Sequence, residues 1–314
     1  LFLLLLQQIF QYLTDMLKPL VFTLSAMLFC GGIQAQQSLG YTLREGDVFT
    51  VEQRGEQIVS QQLGEGFHQL TNRIAAVLEF RVRESRDTSY LLEFRFRDLF
   101  FKIESDMQGV LLNIRARELD TSDLQSRVFN SLIDVPVSME ISRRGEILRV
   151  VGGDSLVSRM MASTHLAPGT QRSAMQHTLD AEYSSKALAA SFEQMTFFYP
   201  ARRVRTGDHW QNRLDGGVEA LNTWTLDTYS DGSAGISGEA DIRMRDGGRF
   251  DGAGLSGRQT IQVQTEAGSG FIRKMVVSGE ASGNGPAAVA GGDPVPTRIR
   301  TKSSYTLIDH KHVQ

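Results

Sequence analysis

Gly153-Asp154-Ser155-Leu156, with Asp309 and His312 near the C-terminus, has the residue types and spacing to do chemistry. A serine that opens a helix after a strand can act as a nucleophile. An Asp-x-x-His pair can orient and supply the base that activates it, which together would make an ester hydrolase. That chemistry needs a parallel sheet with crossover helices and a set of donors for the oxyanion. The flanking segments read instead as antiparallel hairpins, and no Gly-x-Asn-Asp block supplies the donors. Residues 309–314 read as a terminal tail, a poor mount for a base. Ser155, or Asp154 beside it, is more simply explained as a helix cap.

His68, His165, His177, His209, His310 and His312 raise metal binding as a second chemistry. No two stand four apart on a helix with a carboxylate nearby, so no metal ligand is expected among them. Arginines alternate with aromatics from Glu79 to Arg97, which could suggest a base-stacking platform. On a strand, however, the two residue types face opposite ways. A formal charge of -3, from 33 basic and 36 acidic side chains, gives no field for a nucleic-acid backbone. Phosphate loops, dinucleotide fingerprints and calcium loops are absent from the sequence. The reading is of a protein with no catalytic, cofactor or metal residues, no cofactor and no nucleic-acid partner.

The elements that would position such residues begin after a targeting segment. From Met16 the chain reads as a secretory signal, with Lys18 as its basic region, Leu20 to Phe29 as its short apolar run and small residues up to Ala35. Cleavage is expected after Ala35, and residues 1–15 form an upstream extension of doubtful status. Bulky Phe29 before Cys30 argues against lipid attachment, so the one cysteine leaves with the signal. The removed part holds one acid, Asp15, and one base, Lys18, so the charge of the mature chain stays at -3.

Period-two alternation then dominates. In the stretch from Tyr90 to Arg97 one face carries Tyr90, Leu92, Phe94 and Phe96, and the other Glu93, Arg95 and Arg97. Leu78 to Arg83 alternates likewise and pairs with it as a hairpin. Further hairpins turn at Arg144-Gly145, Asp231-Gly232 and residues 267–270, and Thr297 to Ile308 forms a last strand. Glycine-rich stretches at 246–257 and 279–292 read as loops. Between Asp154 and Met195 the spacing becomes helical, with Ser184 or Ser185 as a second cap and Ala167-Pro168-Gly169 as a break.

A weak repetition divides the chain. Leu43-Arg44-Glu45-Gly46-Asp47-Val48-Phe49 recurs as Val204-Arg205-Thr206-Gly207-Asp208-His209-Trp210, a tight turn into a strand whose aromatic points inward. The expected organisation is a first β-module at 36–153, a helical insert at 154–195 and a second β-module at 196–314. The fold class is mainly β, with antiparallel meanders in two related halves forming a barrel-like or sandwich core.

Three of these motifs carry a resemblance. The Gly46-Asp47 strand start, the hairpin Met139 to Ile147 running into Gly152-Gly153-Asp154, and Tyr199-Pro200 with the Val204 to Trp210 turn resemble the exported β-rich family catalogued as domain of unknown function 6263. The resemblance implies an exported envelope protein, periplasmic or secreted, without an established activity, and it carries over no site residue. Curved sheets can enclose an apolar space, so the expectation is a noncatalytic binding or carrier module for a lipid or other hydrophobic ligand, peripherally associated with the envelope. The alternatives are a structural or adhesive module with a filled core and an esterase of the GDSL type.

Overall fold

The computed structural model describes residues 36–216, 218–244, 254–285 and 294–313. The signal segment, Cys30 and the upstream extension lie outside the described residues. In chain order the elements are β1 (Asp47–Leu63), β2 (Gly66–Ser85), β3 (Ser89–Ser105), β4 (Gly109–Arg115), α1 (Leu124–Asn130), β5 (Val137–Ser142) and β6 (Ile147–Val151). Then come α2 (Gly153–Ser163), α3 (Thr170–Tyr183) and α4 (Ser185–Thr196). The chain continues with β7 (His209–Asp215), β8 (Val218–Ser230), β9 (Ser233–Met244), β10 (Ser256–Thr265), β11 (Ile272–Gly285) and β12 (Val295–His312).

All the strands join one 12-stranded antiparallel sheet in the order β6-β5-β3-β2-β1-β12-β11-β10-β9-β8-β7, with β4 beside β3. The first half therefore runs outward from the middle of the sheet to one edge. Helices carry the chain to the other edge, and the second half runs back until β12 pairs with β1. The antiparallel meander read from the alternation is the observed architecture, and the hairpins turn at the expected residues. Asp231 and Gly232 both have positive φ, as a tight hairpin turn requires.

The sheet is curled. Laid flat, eleven strands about 4.8 Å apart would put β6 and β7 about 48 Å from each other. Helix α4 is 12 residues long, or about 18 Å, and it packs against both edge strands. At its C-terminal end Thr196 Oγ1 donates to Gly145 O in the β5–β6 turn at 2.6 Å. On the other side Asn212 of β7 donates to Phe197 O, just past the helix. The helix thus covers two strand edges that would otherwise present unpaired backbone groups. The sheet is not closed by hydrogen bonds, and α4 occupies the seam.

The two Gly-Asp turns have one geometry. Gly46 and Gly207 both have φ +89°, and each aspartate accepts the backbone N–H three residues before it, Arg44 at 2.8 Å and Arg205 at 3.0 Å. They open strands in different places, β1 in the middle of the sheet and β7 at its edge.

Four expectations need correction. Residues 309–312 are not a tail but the end of β12, where Asp309, His310 and His312 pair with Thr50, Phe49 and Asp47 of β1. Gly279 to Gly285 is strand rather than loop, because β11 lies between two neighbours that fix its backbone. Of the other glycine-rich residues, Gly257 lies in β10, while 246–253 and 286–292 fall outside the described residues. Helix α2 is capped by Gly152 in the left-handed region, without a side-chain bond, and not by Asp154 or Ser155. At α4 the expected Ser184 is the cap, accepting the Ala187 N–H.

Candidate ligand-binding site

Strand alternation gives every strand an inner face, toward the helices and the core, and an outer one. At the end of the sheet near the β5–β6 and β10–β11 turns the inner face is packed solid. Phe192 of α4 meets Phe94 at 4.5 Å and Phe80 at 5.7 Å between ring centroids, and Phe271 stacks on Phe49 at 4.2 Å. Tyr41 and Tyr199 complete this packing, and burial pushes both phenols well up from the ordinary tyrosine value.

Beyond this closed end the inner face changes character. One row of directly opposed residues runs Asn72, Gln57, Thr301, Gly279, Gln259, Ala240, Asn222 and Asn212 across β2, β1, β12, β11, β10, β9, β8 and β7. The row below reads Phe101, Ile74, Gly55, Ser303, Val277, Ile261, Gly238, Trp224 and Trp210. The row above reads Leu70, Val59, Ile299, Ala281, Gly257, Ile242, Ala220 and Leu214. A stripe of neutral amides and a hydroxyl thus lies between two mainly apolar rows, and none of the three contains Asp, Glu, Lys or Arg.

The stripe is internally bonded. Asn72 Nδ2 donates to Gln57 Oε1 at 3.1 Å, and Asn222 Nδ2 donates to Asn212 Oδ1 at 3.0 Å. The same Asn212 oxygen accepts from Trp224 Nε1 at 2.9 Å. Trp224 lies so close over Gly238 that a Cβ there would come 2.5 Å from its ring. Nearer the core, Gln53 Nε2 donates to Tyr305 Oη at 3.3 Å, and burial pushes the Tyr305 phenol up to about 12, so it stays neutral in ordinary solution. Over the central strands Asn72, Gln57, Thr301, Gly279, Ile74, Ser303 and Val277 are only half-buried although they face inward. This is a less buried part of the inner face than the closed end.

The outer face is the reverse. Glu56, Arg73 and Glu104 form a chain of ion pairs across β1, β2 and β3, Arg83 and Arg95 flank Glu93, and Arg298 pairs with Glu280. A barrel embedded in lipid is apolar outside, and a charge at mid-bilayer costs it about 2–4 kcal/mol. A charged outer face is that of a sheet in water. No helix among the described residues is long and apolar enough to cross a membrane.

At the end opposite the closed one, two hairpin tips stand together. Asp106 N donates to Gln69 O at 3.1 Å, and His68 Nε2 lies 2.9 Å from Ser105 Oγ. These tips expose Phe67 by 68% and Met107 by 72%.

The residues singled out for catalysis do not assemble. Asp154 accepts from Ser185 N and Ser185 Oγ at 3.3 and 3.2 Å, Asp309 pairs with Lys311, and His312 Nδ1 lies 3.0 Å from Asp47 Oδ1. Ser155 is exposed on α2. His310 sits between Glu266 and Asp47 and stacks on Phe49, and His209 Nδ1 meets Thr225 Oγ1 at 2.8 Å. Among the described residues no group of three or more His, Cys, Asp or Glu side chains is placed to hold a metal ion. The inner stripe escaped sequence reading, although a signal was present in the amides at every fourth position of Gln53, Gln57 and Gln61.

A model described as a family of unknown function, DUF6263, matches residues 87–272. No curated protein sequence matches the chain. Among solved structures, lipovitellin, in a study of its lipid–protein interactions, is similar over 87% of this chain and 26% of its own, with 9% identity and a TM-score of 0.53. That likeness is one of fold, and the chain spans about a quarter of lipovitellin's length. An outer membrane channel from Pseudomonas putida F1 aligns over 88% of this chain and 100% of its own at 8% identity, with a TM-score of 0.27, too low to carry an argument.

Proposed function

Because the chain belongs to DUF6263, a family of unknown function, we propose its role from the geometry: a noncatalytic binding or carrier module that holds a hydrophobic ligand inside the curled sheet. The observation that carries this reading is the half-buried inner patch around Gln57, Thr301, Ile74 and Val277. A sheet with a finished interior would bury such residues fully, as it does at the closed end. The fold likeness to lipovitellin, whose structure concerns lipid–protein interactions, supports the same reading.

Export belongs to the proposal too. The Met16 to Ala35 segment has the order of a secretory signal, and a mature chain without cysteine suits an envelope compartment. The exposed Phe67 and Met107 tips would let the protein rest on an envelope membrane while its charged outer sheet stays in water. Organic extraction of the mature protein purified from its native host, followed by mass spectrometry, tests the reading. A stoichiometric lipid or other apolar molecule is expected, and a chain that carries none and takes up none overturns it.

The packed contacts of Phe192 with Phe80 and Phe94 favour a second reading, a structural or adhesive module with a filled core. It differs in predicting no saturable uptake of any amphiphile.

A further inference from the structure

The inner face tells what kind of molecule could occupy it. Beside the open patch each strand carries charges, and there they point outward, the buried Asp47 of β1 lying at the closed end. On β12 Arg298, Arg300 and Lys302 alternate with inward Ile299 and Thr301. On β1 Glu56 faces out beside inward Gln57. The backbone N–H and C=O groups of these strands are taken by the sheet, so only side chains remain to bond a ligand. Those side chains are amides and hydroxyls, which donate and accept equally well and carry no countercharge. An ionised carboxylate, phosphate or ammonium placed among them would lose its water without gaining a partner of opposite sign.

Resting on the carrier reading, we propose that the ligand is an uncharged amphiphile. Its hydrocarbon part lies along the apolar rows at Ile74, Val277 and Ile299, and its neutral hydroxyl, ester or amide group bonds to the stripe at Gln57, Asn72 and Thr301. The stripe sits between the two apolar rows, so the polar group is gripped part-way along the sheet's interior and not at its rim.

Titration of the mature chain with three amphiphiles sharing one oleoyl chain tests this: monooleoylglycerol, oleate at pH 8 and oleylamine at pH 7, each followed by displacement of a fluorescent acyl dye. Monooleoylglycerol is expected to bind at least about tenfold more tightly than either ion. Thr301→Val, which keeps shape and removes the hydroxyl, is expected to weaken it several-fold with an unchanged circular dichroism spectrum. Gln57→Glu is expected to do so more strongly. Oleate or oleylamine binding as tightly as monooleoylglycerol overturns the neutral-ligand proposal and leaves the carrier reading standing. Failure of all three to bind overturns both.

Discussion

Asn72 on β2 donates to Gln57 on β1 at 3.1 Å, directly across the strand pair and on the inner face of the sheet. A pair of neutral amides at this place, with Arg73 and Glu56 of the same two strands bonded to each other on the outer face, summarises the molecule's electrical plan. Over the open patch, charge is outside and uncharged hydrogen bonding is inside.

A charge inserted on the inner face should therefore be poorly tolerated. Thr301→Asp places a carboxylate between Gln57 and Gly279, where nothing nearby on the inner rows can pair with it. It should cost about 1–3 kcal/mol at pH 7, whereas Lys302→Asp, one residue along on the outer face, should change stability by less than about 1 kcal/mol. Urea denaturation of both variants makes the comparison, and equal losses would contradict the assignment of faces.

The seam depends on Asn212. Its oxygen accepts from Trp224 and Asn222, and its nitrogen donates to the backbone after α4. Asn212→Leu fills similar space but strands all three partners, so a loss of about 2–4 kcal/mol is expected. Hydrogen exchange should show the opening concentrated in β7 and β8, and a uniform loss of protection would speak against a local seam.

The seam also has a pH signature. Burial pushes the Glu193 carboxyl above its ordinary value of 4.5, the Ile147 N–H that it accepts works against this, and the charges of Glu146 and Asp215 add to the rise. Glu146 precedes β6 and Asp215 ends β7, so one helical carboxylate senses both sheet edges. A folded value above the unfolded one means a stability contribution that is full below about 4.5 and lost as pH rises through the folded value. Glu193→Gln, which can still accept from Ile147, should gain stability relative to the parent at pH 7 and lose that advantage near pH 4. An offset independent of pH would refute the burial of Glu193 at the seam.

The hairpin tips give a prediction at the surface. Phe67→Ser with Met107→Ser removes the two most exposed large apolar side chains of these tips. Cosedimentation with phosphatidylcholine vesicles should fall several-fold while the melting temperature stays within a few degrees. Unchanged sedimentation would remove the tips from any membrane contact.

Much of this architecture was legible from alternation. The Tyr90 to Phe96 face is the core face as read, since a strand with aromatics on one side and ions on the other has only one way to bury them. The reading stopped short at Asp98, where an irregularity in the pairing of β2 and β3 hands the inner face to Leu99, Phe101 and Ile103. Helix α3 falls inside the expected helical insert at 154–195 but has no separate signal, because only Leu179 is buried on it, which leaves no apolar period. The final turn of β12 was mistaken for a tail because Asp309 to His312 is polar throughout, and only its pairing with β1 makes it strand. The half-buried inner patch is least legible of all. Gln57, Asn72, Thr301, Gln259 and Asn222 are scattered over more than two hundred residues of sequence, and only the strand register places them in one row.

Where a ligand sits distinguishes an interior site from contact at the hairpin tips. A monoacylglycerol carrying a diazirine in its acyl chain, bound to the mature protein and photolysed, reports this through mass-spectrometric mapping of the labelled residues. Labels on the inner rows, at Ile74, Val277 and Ile299, competed away by excess unlabelled monooleoylglycerol, are the predicted result. Labels confined to the tips at Phe67 and Met107, or none that a competitor removes, would contradict it.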